Sequence, residues 1–411
     1  MTVIVVKPPV LSVGGTVARL SADLLGPEKT EPLWFECDAV HAGKLATETC
    51  DGLFIAALLL AMRRGLDLVV DGPLSSRLYY HVKTYYVELV RSLIPGMHKV
   101  SLVADHLTRA EYPGTGVLTA FSGGIDSLCT VIEHQTGSVP AEYEVTHLLL
   151  NNVGSHGQLE NDLRVFRERC ARLAVHARSL NLPLIAVNSN LDGILGMAFQ
   201  LTHTIRNAAV ALLFQRACAK YLYSSTVHYR DSRVEETYDM GYADAIAVPL
   251  LSTESMECVS SGSQHTRFQK TEIVAGFRAS YRMLDVCVAP ARAREKGCVN
   301  CSLCWKCLRT QLSFEVLGVL QNYRAVFDLP AYRRLRWLYL CGVLGSPSAL
   351  EREIREEMAK RGFSVPWSAR AVAAVAPRRL LDLVTRLVGL DRAGAKRLWR
   401  RLLDRVVARL R

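Results

Sequence analysis

Residues 117–127 read Val-Leu-Thr-Ala-Phe-Ser-Gly-Gly-Ile-Asp-Ser, and no other stretch constrains the fold as strongly. Val117 to Phe121 is an apolar, β-branched run that predicts a strand. At Ser122-Gly123-Gly124 the backbone must turn sharply and bare its N–H groups. Asp126 and Ser127 are then expected to cap a helix over Leu128–Glu133. Strand, glycine turn and helix N-terminus make an anion cradle, because unpaired N–H groups and the positive end of the helix dipole converge on one point. Ser122 and Ser127 add hydroxyl donors, and Asp126 can hold a magnesium ion against phosphates. No Lys-Ser/Thr follows the glycines, so this is not a Walker loop.

The pattern of elements around the turn points to an α/β fold. Strand 117–121 and its helix are followed by an expected strand at Val145–Leu150, a Gly154-Ser155-His156-Gly157 loop, a helix at Leu159–Leu180 and a strand at Leu184–Asn188. A long helix near Ile205–Tyr221 then leads to Ser224–His228. Alternation of this kind predicts a parallel sheet with helices on both faces, with ligands beyond the carboxyl ends of its strands. Upstream, strands are expected at Leu33–Val40, Leu66–Val70 and Lys99–Ala104, and helices at Asp51–Arg64 and Ser76–Leu93. Three regions follow: an N-terminal α/β domain (1–112), a domain carrying the loop and a cysteine-rich segment (113–311), and a basic helical region (312–411).

The hexamer Ser122–Ser127 resembles the S-G-G-x-D-S loop of the PP-loop ATP pyrophosphatases. That superfamily includes the GMP, NAD, asparagine and argininosuccinate synthetases, the tRNA thiolases and 7-cyano-7-deazaguanine synthase. The resemblance implies an adenine-nucleotide α-hydrolase-like domain that splits ATP into AMP and pyrophosphate. Further segments resemble 7-cyano-7-deazaguanine synthase in particular. His203-Thr204-Ile205-Arg206-Asn207, read as opening a helix, is similar to its P-x-R-N segment, with Thr204 in place of Pro. Gln269-Lys270-Thr271-Glu272-Ile273-Val274 is similar to its T-K-x-E-I-V segment. On this resemblance Arg206 and Asn207 contact the nucleotide, and Lys270 brings a point charge to the polyphosphate as pyrophosphate leaves. A surface Arg-Asn pair and a solvated Lys/Glu pair are the plain alternatives.

Cysteine usage is lopsided: of 12 cysteines, five lie between Cys287 and Cys307. Cys298, Cys301, Cys304 and Cys307 are spaced by two residues, and thiolates so spaced can wrap one tetrahedral metal; four soft ligands with no open position make a structural zinc site. The resemblance implies a C-x8-C-x2-C-x2-C zinc site whose last three ligands map onto Cys301, Cys304 and Cys307. The fourth is Cys287, separated from Cys301 by a spacer of thirteen residues, with Cys298 as the alternative. An iron–sulfur cluster is the competing assignment. The other seven cysteines sit among apolar neighbours as buried small hydrophobes. With no secretory start in MTVIVVKPPV and no apolar run long enough to span a bilayer, the expectation is a cytoplasmic protein without disulfides or membrane association.

The resemblance leaves much of the chain uncovered, since it spans roughly residues 115–311. The glutamine-rich loop after the second strand is replaced by Asn152–Gly157, and both flanking regions are additional. Net charge is +11, and residues 331–411 hold 19 Lys and Arg against 7 Asp and Glu, so the rest of the chain is close to neutral. Arginines among helical Leu, Val and Trp predict helices with one buried and one basic, solvated face. His156 in its loop, a Gly72–Arg77 anion-binding turn, and Glu254, Glu257 and Arg267 are lesser candidates.

The implied activity is ATP-dependent activation of a carboxylate or carbonyl oxygen for amide or nitrile formation, using ATP, Mg²⁺ and Zn²⁺. A small-molecule or protein-linked acceptor is favoured over nucleic acid, although residues 331–411 leave RNA contact open. The alternatives are a sulfurtransferase acting on RNA or a small molecule, with the spare cysteine as persulfide carrier, and a non-catalytic nucleotide-binding scaffold.

Overall fold

The computed structural model describes residues 3–135, 137, 139–288 and 297–375. It divides into two compact units: residues 1–122 with 126–264, and residues 123–125 with 265 onward. The boundary expected near residue 112 lies inside the first unit.

That unit is built on one eleven-stranded sheet: β1 (Val3–Val6), β2 (Val10–Gly14), β3 (Val17–Leu25), β4 (Thr30–Asp38), β5 (Asp67–Ser75), β6 (Leu102–Thr108), β7 (Gly116–Ala120), β8 (His147–Asn152), β9 (Leu184–Ser189), β10 (Cys218–Ser224) and β11 (Glu257–Ser261). The order is β11-β10-β7-β8-β9-β4-β3-β1-β5-β6, with β2 paired to β3. β7 to β11 form an all-parallel block. β4 then joins β9 antiparallel, through Phe35 opposite Ser189 and Glu36 opposite Asn188. After two more antiparallel pairings, β1, β5 and β6 run parallel to one another. The mostly parallel sheet flanked by helices is what the alternating pattern predicts, and the N-terminal strands extend that same sheet.

The helices of this unit are α1 (Asp51–Arg64), α2 (Ser76–His81), α3 (Val87–Leu93), α4 (Ile125–Glu133), α5 (Glu160–Ser179), α6 (Leu191–Leu195), α7 (Phe199–Leu212) and α8 (Asp244–Ala247). α1 is buried from Asp51 to Met62, so it behaves as a core helix rather than an amphipathic one. It packs on α7 at Gly52, where a Cβ would lie 2.6 Å from the Ala209 carbonyl; only glycine permits that approach. One expectation is corrected here. The long helix placed over Ile205–Tyr221 starts at Phe199 and stops at Leu212, and Cys218–Ser224 is strand β10. The run lacks a Gly or Pro breaker, so no local signal divides it.

The second unit is helical: α9 (Arg267–Gly276), α10 (Ser280–Met283), α11 (Trp305–Val316), α12 (Leu329–Gly345), α13 (Ala349–Lys360) and α14 (Trp367–Val375). Its core includes the stacked rings of Phe314 and Tyr323, 3.7 Å between centroids, and a buried ion pair between Arg309 and Glu351 at 2.7 Å. The helical reading from residue 312 is met through residue 375; the remainder of the basic region lies outside the described residues. No helix among the described residues is long and apolar enough to cross a membrane.

Candidate functional site

The four cysteines favoured for a metal come together. Cys287, Cys301, Cys304 and Cys307 are all buried, and their sulfur atoms lie within 4.8 Å of one another. Sγ of Cys307 is 3.9 Å from that of Cys301 and 3.3 Å from that of Cys304. A tetrahedral ion with metal–sulfur bonds of about 2.3 Å needs sulfurs about 3.8 Å apart, so the donor set fits zinc with a small outward adjustment. Cys298 stands outside the group and is half-buried, leaving Cys287 as the fourth member.

Backbone chemistry explains why the cluster forms. The Cys301 N–H points at Cys287 Sγ (3.4 Å), and the Cys304 N–H points at Cys301 Sγ (3.3 Å). Between these cysteines Ser302 adopts a left-handed φ of 63°, which tightens the knuckle. Asn300 pins the approach: its Oδ1 accepts from the Val286 N–H (2.8 Å), and its Nδ2 donates to the carbonyls of Leu284 (2.8 Å) and Val326 (3.1 Å). Gln311 donates to the carbonyls of Ser302 and Cys307. Hydrogen bonds from Cys287 first, then Cys304 and Cys307, hold the Cys301 thiol far below the usual range. Cys304 is lowered as well, whereas Cys287 and Cys307 are raised; four sulfurs so gathered suit a soft cation.

The serine-glycine turn follows β7 as expected. Ser122 is exposed, Gly123 takes φ 74°, and Gly124 leads into α4. That helix begins at Ile125, so Asp126 and Ser127 sit in its first turn instead of capping it. The hydroxyls of Ser122 and Ser127 meet across the turn at 3.2 Å. The Gly123 carbonyl accepts from the Asp285 N–H (2.8 Å), two residues before the cluster cysteine Cys287. The turn lies at the carboxyl end of a central parallel strand, where ligands of α/β sheets bind.

The neighbouring strand β8 delivers the Asn152–Gly157 loop to the same sheet edge. Asn152 donates to the Gly157 carbonyl (2.9 Å) and to Asn188 Oδ1 (3.0 Å), and accepts from the His156 N–H. His156 lies 3.0 Å from Arg169 Nη1 and packs on Phe166. Arg206 and Asn207 lie mid-helix in α7, not at its start. The Arg206 guanidinium is fully buried and donates to Thr202 Oγ1, the Val153 carbonyl, Asp192 Oδ1 and the Met197 carbonyl, at 2.6–2.8 Å. It therefore anchors the β8 loop and the turn after α6 from beneath.

Lys270 is buried in α9, whose N-terminus carries a Thr266/Gln269 capping box; Gly123, Gly124 and Lys270 belong to the same compact unit. At the Gly72–Arg77 turn the anion is supplied internally. Glu254 accepts from the Arg77 N–H (2.9 Å) and bonds Ser75 Oγ, while Ser75 caps α2. Glu257 pairs across strands with Lys220 at 2.7 Å, and Arg267 opens α9.

Sequence reading passed over one buried polar network. His203 Nδ1 lies 2.6 Å from Tyr223 Oη and its Nε2 lies 3.0 Å from Asp239 Oδ1, while Thr204 Oγ1 donates to Asp244 Oδ1 (2.7 Å). Burial pushes the Asp239 carboxyl up, but hydrogen bonds from His203, the Gly241 N–H and Gln200 outweigh it and hold the group low. Adjacent polar residues in an otherwise apolar helix were the available signal.

Comparison with protein-family models, with curated proteins and with solved structures finds no match.

Proposed function

We propose that the chain is a PP-loop-type adenylating enzyme that converts ATP to AMP and pyrophosphate while activating a carboxylate or carbonyl oxygen. The supporting observation is the turn itself: Ser122-Gly123-Gly124 leaves the carboxyl end of β7 and enters α4 with two hydroxyls facing each other. In this reading the N–H groups of Gly123 and Gly124 and the hydroxyls of Ser122 and Ser127 take the phosphates. Asp126 would hold Mg²⁺, which neutralises polyphosphate charge when bound. Lys270 adds charge as pyrophosphate leaves. An acceptor oxygen attacks the α-phosphorus, the bond to the bridging oxygen breaks, and an amine, ammonia or sulfide then displaces AMP. Positioning and charge stabilisation suffice, and no protein nucleophile is needed. Cys287, Cys301, Cys304 and Cys307 would hold zinc in a structural role with no open position.

The acceptor favoured is a small molecule or a protein-linked group, as in 7-cyano-7-deazaguanine-type amide or nitrile formation. The sulfur-transfer reading retains one specific support, since Cys298 lies outside the metal group. The deciding experiment measures ATP binding, and AMP and pyrophosphate release, with candidate acids for the wild type, Ser122→Ala and Asp126→Ala. Loss of turnover in both folded variants supports the proposal, and near wild-type turnover in either rejects it. Cys298→Ser separates the chemistries: amide formation survives the change, thiolation does not.

A further inference from the structure

In the second unit, α12 and α14 contain no Asp or Glu. α12 buries Leu329, Ala331, Tyr332, Tyr339, Leu340 and Val343. Its opposite side carries the exposed residues Pro330, Arg333, Arg334 and Trp337, whose i, i+3, i+4, i+7 spacing makes one stripe. Trp337 Nε1 donates to Ser368 Oγ at 3.1 Å, which sets α14 beside this stripe. On α14 the buried Ala369 faces inward, while Trp367, Arg370, Ala371 and Ala374 are exposed at the same spacing. Two neighbouring helices thus present three arginines and two tryptophans to solvent.

Several arginines of the unit are neutralised within it. Arg309, Arg336 and Arg361 each pair with a glutamate, at 2.7, 2.6 and 2.9 Å. Among the described residues, Arg333, Arg334 and Arg370 have no acidic partner. Trp367 is 82 % exposed and Trp337 41 %, a large apolar area to leave in water on two adjacent helices. Free guanidinium forks seek phosphate or carboxylate, and exposed indole faces seek flat π-systems. Both demands are met together by a polynucleotide whose bases are unstacked. A duplex offers phosphates but hides its base faces, and an acidic peptide offers charge without rings.

We propose that the Arg333/Arg334/Trp337/Trp367/Arg370 face binds single-stranded nucleic acid, the arginines taking phosphates and Trp367 stacking on a base. This surface stands apart from the adenylation reading and does not depend on it.

The test uses the full chain and fluorescein-labelled 20-mers: single-stranded RNA, the same sequence as single-stranded DNA, and the RNA duplex. Wild type is expected to bind a single strand with micromolar affinity at 0.1 M salt, with quenching of tryptophan emission. Arg333→Glu/Arg334→Glu/Arg370→Glu should weaken binding at least ten-fold. Replacing the three arginines by glutamine should reduce the slope of log affinity against log salt by about 2, at about 0.7 for each phosphate no longer neutralised. Trp367→Ala, at a solvent-facing position, should weaken binding about ten-fold, as loss of one base–aromatic stack does. Single-strand binding unaffected by both sets of changes overturns the proposal. So does a duplex bound as tightly as the single strand with no effect of Trp367→Ala.

Discussion

The four-cysteine cluster and the Ser122–Ser127 turn are both suited to a charged group, yet they are built in opposite ways. In the cluster every cysteine is buried, and Asn300 and Gln311 fix the backbone around it. Side chains supply the donors, and an ion held there would be enclosed on all sides. In the turn the hydroxyls of an exposed Ser122 and a buried Ser127 meet beside two glycines, so backbone N–H groups are the main resource and one side stays open. A closed site ties its ion to folding, whereas an open one must let its ligand come and go. Stability should therefore follow the first and turnover the second.

The largest expected effect is at the cluster. Purified protein should carry about one zinc per chain, as elemental analysis will read. Cys301→Ser, Cys304→Ser or Cys307→Ser should lose it together with soluble expression, because binding energy at a structural zinc site is folding energy. Cys298→Ser should keep both. A brown protein containing iron would move the assignment to a cluster and favour sulfur transfer.

Next come Asp126→Ala and Ser122→Ala. AMP formation should fall at least a hundred-fold, the scale of losing a positioned charge or donor, while melting temperature shifts by no more than about 3 °C. A collapse in stability with turnover per folded molecule intact would make the turn a structural element like the cluster.

Gly154 lies in the loop beside the turn. It adopts φ 121°, and a Cβ there would meet Arg206 Nη1 at 2.5 Å and Asp192 Oδ1 at 2.6 Å. Gly154→Ala should cost about 1–3 kcal/mol in a denaturant titration, from backbone strain and a disturbed buried guanidinium.

The smallest effect concerns pH. Asp239 is held below its unfolded value, so its stabilisation is complete above the ordinary carboxylate range. It is lost as pH falls through the still lower folded pKa, below about 4. Asp239→Asn should cost about 1 kcal/mol at pH 7 and flatten the acid limb of the stability profile.

Features set by short-range chemistry were legible in the sequence. The turn, the two-residue cysteine spacing and helix Asp51–Arg64, closed by the left-handed Gly65, all appear where local signals put them. What escaped was decided by tertiary context. β3 alternates buried Ala18, Leu20, Ala22 and Leu24 with exposed or half-exposed neighbours, and no apolar run marks it because Arg19, Ser21 and Asp23 intervene. The break between α7 and β10 falls within a run that holds no Gly or Pro. Arg206 looked like a ligand-binding residue because a sequence does not reveal that Thr202, Val153, Asp192 and Met197 surround it. A guanidinium carries the same charge whether it greets a substrate or braces a loop.

The antiparallel seam between β4 and β9 bears on how such a protein can be divided. Truncation up to β6 would strip β9 of its neighbour and α7 of the helix packed at Gly52, leaving a bare hydrogen-bonding edge beside exposed apolar surface. The amino-terminal hundred residues therefore form no detachable module. A fragment starting at β7 should be sticky and prone to aggregation, and any shuffling of this architecture must carry both halves of the sheet together.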